Sequence, residues 1–284
     1  MKIVTTIAEL RAHHDEVRRA GGSIGLVPTM GWFHEGHLSL MGRARAAHDH
    51  VTTTLFVNPL QFAPTEDLAT YPRDLDRDAA LAAEEGVDVL FAPSVEEMYP
   101  AGASLTTVQV GELSAPFEGA SRPTHFTGVA TVVTKLFSIA GPCTAYFGEK
   151  DYQQLLVVAR MAADLNLPVE VVGCPTVREH DGLAMSSRNV KLEPAERAAA
   201  PTLHRALCAG AARIAAGERD PDVVIDEMRT VLAASDLVET DYADVVDAAT
   251  LVRPTELRGE LRLLVAARLG EPRLIDNLGI HAPA

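Results

Sequence analysis

The chain has 284 residues, enough for one large domain or two smaller ones with real cores. Apolar residues make up 47% and charged residues 23%, the ordinary balance of a soluble globular protein. Its 39 acidic residues against 25 basic ones give a net charge of −14, which argues against a broad nucleic-acid or anionic-membrane surface and leaves room for a small basic pocket.

The N-terminal stretch MKIVTTIAELRAHHDEVRRAGG has no long apolar segment, so it does not read as a secretory signal. No apolar run approaches the ~20 residues of a membrane span. SIGLVPT reads as a strand, and LSLMGRARAAHDH, with Leu38, Met41, Ala44 and Ala47 near a helical period, as a helix. VTTTLFVNP is β-branched and is ended by Asn-Pro. DLDRDAALAAEEG is a helix closed by Gly86, and VDVLFAPS is a strand. TGVATVVTKLFSIAG is a largely buried helix ending at Gly141, TAYFGEKD a strand running into a loop, YQQLLVVARMAADLN a helix, and PVEVVGCPTV a strand.

Strands alternating with helices predict an α/β fold: a Rossmann-like, mostly parallel sheet with helices on both faces. Ligands of such sheets bind beyond the C-terminal ends of the strands. The polar segments PTMGWFHEGH, NPLQF, GEKD and REHDGLAMSSRN each follow an apolar run, as that rule requires. After about residue 176 the pattern changes. PAERAAAPTLHRALCAGAARIAAGERD reads as one long Ala-rich helix and DPDVVIDEMRTVLAAS as a second. TDYADVVDA, LRLLVAARLG and PRLIDNLGI are strand-like. The expected domains are therefore 1–176 and a smaller C-terminal α+β domain, 177–284, with the site in the cleft between them.

Cys143, Cys174 and Cys208 are odd in number and widely spaced, with no CxxC pair. Neither a disulfide framework nor a structural zinc site is expected, and a reducing cytosol fits.

His34 and His37 fall where a strand hands over to a helix. Unpaired N–H groups and the positive end of the helix dipole meet there, and such a place receives phosphates. Gly31 and Gly36 let the backbone approach a bulky anion. Residues three apart share a helical face, so two imidazoles there can donate to a phosphoryl group as its charge grows. Half of a metal site, or two plain capping residues, are the rival readings of the pair alone. Met185-Ser186-Ser187-Arg188-Asn189 offers two hydroxyls and a guanidinium to phosphate oxygens, Gly148-Glu149-Lys150-Asp151 offers a point charge, and Gln61 and Gln154 suit a small polar substrate. The sequence contains neither GxxxxGK[ST] nor a GxGxxG opening a helix, so a nucleotide here is held by another device.

The His34-Glu35-Gly36-His37 and Met185-Ser186-Ser187-Arg188 segments resemble the HIGH and KMSKS elements of the HIGH-type nucleotidyltransferase superfamily. More narrowly, PTMGWFHEGHLSLM, FVNPLQFAPTEDLATYPRDL, GVDVLFAPSVEEMYP, FEGASRPTHFTGVATVVTKLF, YFGEKDYQQL and GCPTVREHDGLAMSSRN resemble the pantoate–β-alanine ligase family over nearly the whole chain, and more loosely LLVAARLGEPRLIDN does too. The resemblance implies an AMP-forming carbon–nitrogen ligase. ATP activates the carboxylate of (R)-pantoate as an adenylate, and the β-alanine amine then displaces AMP. It implies ATP contacts from Met30, Gly31, Trp32, Phe33, His34, Glu35, Gly36 and His37, from Gly148, Glu149, Lys150 and Asp151, from the backbone of Val177, and from Met185, Ser186, Ser187 and Arg188. His37, His34, Lys150 and Arg188 would act on the phosphates. Gln61 and Gln154 would hold pantoate, and Gln61 would also place β-alanine. Magnesium would come with ATP without direct side-chain ligands, with Asp76 or Asp78 reaching it through water. The first domain would bind nucleotide and pantoate, and the second would act as a lid. The implied setting is a cytoplasmic homodimer without nucleic-acid or membrane partners.

Adenylation of another small carboxylate or phosphate ester is the alternative enzyme reading, and a non-catalytic nucleotide- or metal-binding protein is the alternative of a different class. One departure stands out. Trp32 and Phe33 occupy positions where the family has small or aliphatic residues. Phe33 reads as packing at the helix start, whereas Trp32 is open between nucleotide, lid and solvent.

Overall fold

The computed structural model describes residues 1–62, 68, 71–102 and 104–283. Within the block FVNPLQFAPTEDLATYPRDL, residues 63–67, 69 and 70 lie outside these. By its contacts the chain forms two units, Met1–Glu149 with Gln153–Pro175, and Lys150–Tyr152 with Thr176–Ala284.

The first unit begins with β1 (Lys2–Val4) and α1 (Ile7–Arg19), an element pair not among those expected from the sequence. Thr6 caps α1 by accepting the Glu9 N–H, and the Glu9 carboxylate accepts the Thr6 N–H, a reciprocal capping box. There follow β2 (Ile24–Thr29), α2 (Glu35–Ala47), β3 (His50–Leu55), a 3-10 turn at Pro59–Gln61, α3 (Leu75–Glu84), β4 (Val89–Phe91) and the short α4 (Val95–Met98). Then come α5 (Glu118–Ser121), α6 (His125–Ala140), β5 (Cys143–Gly148), a 3-10 turn at Glu149–Asp151, α7 (Tyr152–Asp164) and β6 (Val169–Cys174), with Lys150–Tyr152 of the turn and of α7 counted in the second unit.

The six strands form one parallel sheet in the order β1-β4-β3-β2-β5-β6. Leu26 and Val27 on β2 point to opposite faces and enter different cores. One core joins Leu26 to Val133, Phe137 and Met161 of α6 and α7, and the other joins Val27 to Met41 and Ala82 of α2 and α3. This two-sided burial explains why the strands read as continuous apolar runs. Chain order runs outward from β2 through β3 and β4, then reverses to β5 and β6 on the other side of β2. The β2–β5 junction is thus the switch point where ligands of doubly wound sheets bind. Pairing there covers only Gly25↔Thr144 and Leu26↔Ala145, and stops before Pro28, which has no N–H to give.

The second unit carries a 3-10 turn at Ser187–Lys191, α8 (Pro194–Ala199), α9 (Thr202–Ala215), α10 (Pro221–Leu232), β7 (Glu239–Asp247), β8 (Gly259–Arg268) and β9 (Arg273–Ala282). The single long helix expected from Pro194 onward is instead two. The chain breaks between Ala199 and Thr202, where Pro201 has no N–H to continue the helical ladder. The three strands are antiparallel in the order β7-β8-β9. Leu203, Leu207 and Ile214 of α9 and Val224 and Met228 of α10 pack with Val245, Leu261, Leu263 and Val265 on one face of this sheet.

Candidate active site

The turn after β2 is built to aim the start of α2. Gly31 has φ +88°, and a Cβ there would sit 3.0 Å from an oxygen of Asp78. Trp32 follows at φ +53°, a left-handed conformation that costs a bulky residue roughly 1–2 kcal/mol. Asp78, fully buried on the first turn of α3, holds this turn in place. Its carboxylate accepts the N–H of Trp32 at 2.6 Å and of Phe33 at 2.8 Å. Arg77 donates to the Phe33 carbonyl at 2.8 Å and lies 4.9 Å from the centre of the half-buried Trp32 ring. Trp32 is therefore neither simply exposed nor loose, because it is stacked under Arg77. Phe33 is fully buried beside Leu40 and Met41, with Leu38 packed against the same cluster, the hydrophobic staple expected of it. Asp78 is committed to this turn, so it is unsuited to hold a hydrated ion. Asp76 is exposed on the same helix.

His34 is the N-cap of α2 and His37 its third residue. His34 Nδ1 accepts the Gly36 N–H at 3.1 Å, and His37 Nδ1 accepts the His34 N–H at 3.4 Å. The two rings lie against each other, tilted by 38°, with centroids 4.1 Å apart. A nitrogen that accepts from a backbone N–H carries no proton, so each neutral ring keeps its proton on Nε2. The helix end thus supplies two Nε2–H donors in addition to its own dipole. Glu35 is exposed and Gly36 half-buried.

Gln61 ends the turn after β3 and is buried. Its Nε2 lies 2.9 Å from Met30 Sδ, and its Oε1 accepts from Asn58 Nδ2 at 3.1 Å. Asn58 also donates to the Gly128 carbonyl, and its Oδ1 accepts the Tyr99 hydroxyl proton at 2.8 Å. Only glycine fits at 128, since a Cβ there would lie 2.3 Å from the Leu60 carbonyl oxygen. Two cationic-type side chains not expected from the sequence converge on the Gln61 carbonyl, Arg122 Nη2 at 3.3 Å and His125 Nδ1 at 3.0 Å. A carbonyl only accepts, so His125 carries a proton on Nδ1. The signal was present as the Arg-Pro-Thr-His run, but nothing local tells which turn it meets.

Gly148 ends β5 and Glu149 opens the 3-10 turn after it, both half-buried. In α7 the adjacent glutamines separate by role. Gln153 is buried and donates to the carbonyls of Leu113 and Pro116 while accepting the Glu118 N–H. Gln154 is half-buried one residue on, about 100° around the helix.

In the second unit, Lys150 lies 3.4 Å from Asp151. The Met185 N–H donates to the Val177 carbonyl at 3.0 Å, which brings two expected nucleotide contacts together. Ser186 caps the turn that follows by accepting the Arg188 N–H at 3.2 Å. Met185, Ser186, Ser187 and Arg188 are all half-buried. Asn189 ties this loop down by donating to Glu179 and to the Ala184 carbonyl. Among the described residues no group of three His, Cys, Asp or Glu side chains is placed to hold a metal ion.

Comparison with known proteins accords with this geometry. The family model described as pantoate-beta-alanine ligase matches residues 2–279. The pantothenate synthetase of Roseiflexus sp. (strain RS-1) is 56% identical over 282 residues, 99% of this chain and all of that protein. That of Syntrophobacter fumaroxidans (strain DSM 10017 / MPOB) is 53% identical over 98% of each chain. The crystal structure of pantothenate synthetase from Thermus thermophilus superposes with TM-score 0.93 at 52% identity, covering 99% of this chain and 100% of that one. Pantoate-beta-alanine ligase from Francisella tularensis, complexed with beta-gamma ATP and beta-alanine, matches with TM-score 0.81 at 32% identity over 98% and 97% of the two chains. With its sheet, its helix-capping histidines and its whole length accounted for, the chain belongs to the pantoate–β-alanine ligase family.

Proposed function

We propose that this chain joins (R)-pantoate to β-alanine at the expense of ATP, through a pantoyl-adenylate intermediate. Membership of the family over residues 2–279 supports the reaction class. The observation in this chain that carries the chemistry is the pair of imidazoles at the N-terminus of α2, whose Nδ1 atoms accept backbone N–H groups and so leave the ring proton on Nε2.

A carboxylate is a poor acyl donor because its leaving group would be oxide. In the first step a pantoate carboxylate oxygen forms a bond to the α-phosphorus as the bond to pyrophosphate breaks. In the second, the β-alanine amine bonds to the acyl carbon, sheds a proton, and AMP leaves as the acyl–oxygen bond breaks. Both steps are governed by position and charge. Holding the reacting groups in line supplies on the order of 7–11 kcal/mol in the best intramolecular cases. Each donor aimed at a phosphoryl oxygen adds roughly 3–4 kcal/mol.

His34 and His37 donate to the phosphates, and Lys150 and Arg188 meet the charge that grows there. Met30 to Phe33, Glu35, Gly36, Gly148, Glu149, Asp151 and the Val177 backbone surround the nucleotide. Met185, Ser186 and Ser187 close over its phosphates. Gln61 and Gln154 hold pantoate, and Gln61 helps place β-alanine. Arg122, whose guanidinium meets the Gln61 carbonyl beside His125, adds positive charge suited to a carboxylate. Magnesium travels with the triphosphate and offsets its charge, and no side chain of this protein is assigned to it.

The protein acts as a cytoplasmic homodimer on small molecules, without nucleic-acid or membrane partners. The net charge of −14 and the free Cys143, Cys174 and Cys208 fit that setting, and no helix among the described residues is long and apolar enough to cross a membrane. The half-reaction tests the order of steps: magnesium-ATP and pantoate without β-alanine should give pyrophosphate in an amount close to that of enzyme. Pyrophosphate release independent of pantoate would contradict it, and release with a different acid alone would favour another small carboxylate as substrate.

A further inference from the structure

Lys150 and Val177, both expected on ATP, each lie in or beside a segment anchored to consecutive residues of one strand, Asp276 and Asn277 of β9. Asn277 Nδ2 donates to the Lys150 carbonyl at 2.8 Å. Asn277 Oδ1 accepts from Arg262 Nε on the neighbouring β8 at 2.7 Å. The Arg262 guanidinium then lies over the Tyr152 ring, its central carbon 3.8 Å from the ring centre, and the Tyr152 hydroxyl donates to the Ala248 carbonyl at 3.0 Å. Lys150 is thus held by its own carbonyl and by the ring two residues later. On the other anchor, Arg178 makes a two-pronged ion pair with Asp276 at 2.6 and 3.0 Å and donates to the Asn277 carbonyl at 3.2 Å.

These groups are buried: Arg262 is 9% exposed and Asp276 and Asn277 are each 4% exposed. A buried guanidinium is costly unless its donors are satisfied and its faces packed, so the sheet has been shaped around it. Gly279 stands opposite Arg262 in the register, and a Cβ there would sit 2.9 Å from Arg262 Nη1. Only a residue without a side chain leaves that guanidinium its path to Tyr152.

We propose that Asn277 and Arg262 are positioning residues that fix the Lys150 ammonium for adenylation. Neither is assigned to touch substrate; both act through the backbone and the ring that flank Lys150. This rests on the reading of Lys150 as a group that meets phosphate charge.

The test uses the full-length protein and pantoate-dependent pyrophosphate release. Asn277→Asp keeps the acceptor for Arg262 but sets an oxygen against the Lys150 carbonyl where the donor was, so it breaks that hold alone. Measured below the melting temperature of each protein, its kcat should fall by about tenfold or more, with the KM for pantoate changed less than about twofold. Arg262→Lys, which loses the guanidinium over the Tyr152 ring and the Nε donor to Asn277, should move in the same direction. In a Lys150→Ala background the further effect of Asn277→Asp should vanish, because a positioning residue has nothing left to position. Full kcat in Asn277→Asp, or undiminished losses that multiply with Lys150→Ala, overturns the proposal. If Lys150→Ala alone keeps wild-type turnover, it is the role of Lys150 that fails.

Discussion

Asp78 accepts the backbone N–H of Trp32 at 2.6 Å across 46 positions of sequence, and with it fixes the left-handed turn that delivers His34 and His37. Removing that carboxylate leaves the N–H groups of Trp32 and Phe33 without their acceptor, and Arg77 without its 3.0 Å ion pair. Asp78→Ala should therefore cost about 3–5 kcal/mol of stability, as expected when a buried charged acceptor is lost. Arg77, 40% exposed at its side chain, should cost only about 1 kcal/mol as Arg77→Ala. Chemical denaturation of the two variants measures the ranking. Equal losses would show that the turn does not depend on Asp78.

The neighbouring glutamines of α7 should separate stability from substrate binding. Gln153→Ala strands two carbonyls and one N–H in a buried place and should lower stability by about 2–3 kcal/mol. Gln154→Ala should leave stability within about 0.5 kcal/mol and raise the KM for pantoate. Thermal melts and initial-rate kinetics on both proteins suffice. An unchanged pantoate KM in Gln154→Ala would remove that residue from the substrate site.

Acid should destabilise the first unit through histidines remote from the switch point. His14 is fully buried between the Ala140 carbonyl and the Thr52 hydroxyl, and His50 bonds the same hydroxyl on one side and approaches Asp88 on the other. His13, Arg18 and Arg45 surround them. Burial pulls both His14 and His50 from 6.5 down to about 4, although Asp88 works against the shift in His50. The unfolded chain therefore binds more protons than the native one between those values. The stability these neutral rings contribute is complete above pH 6.5, declines as pH falls, and levels off below about 4. The decline is on the order of 3 kcal/mol for the fully buried His14. Denaturant midpoints from pH 7.5 to 4.5 should show this slope, and His14→Gln should flatten it. A slope unchanged by that substitution would assign the acid sensitivity to other groups.

The fold was legible where a residue's neighbours in sequence decide its state. The apolar run Ile24–Val27, with helical periods on either side, announces a strand buried on two faces, and His34 at its exit announces a helix start. The capping box Thr6/Glu9 was equally open to reading and would have marked α1. Pro201 likewise marks the break between α8 and α9, but the surrounding alanines favour a continuous helix and mask it. The candidate site was legible only to the level of segments. Which of two adjacent glutamines turns inward, that Arg122 and His125 meet at Gln61, and that Asp78 serves Trp32 all depend on contacts between residues 35 to 64 positions apart. No local period or cap encodes those. The Trp32 departure from the family pattern was visible, and its partner Arg77 became visible only in the fold.

A ligase that couples ATP, pantoate and β-alanine turns over only with all three. Steady-state AMP formation should be measured with magnesium-ATP, pantoate and β-alanine, and again with each left out in turn. Sustained AMP release is predicted only when all three are present, with His37→Ala reducing it by roughly a hundredfold or more. AMP release that continues without β-alanine or without pantoate, or that is unaffected by His37→Ala, would contradict the account.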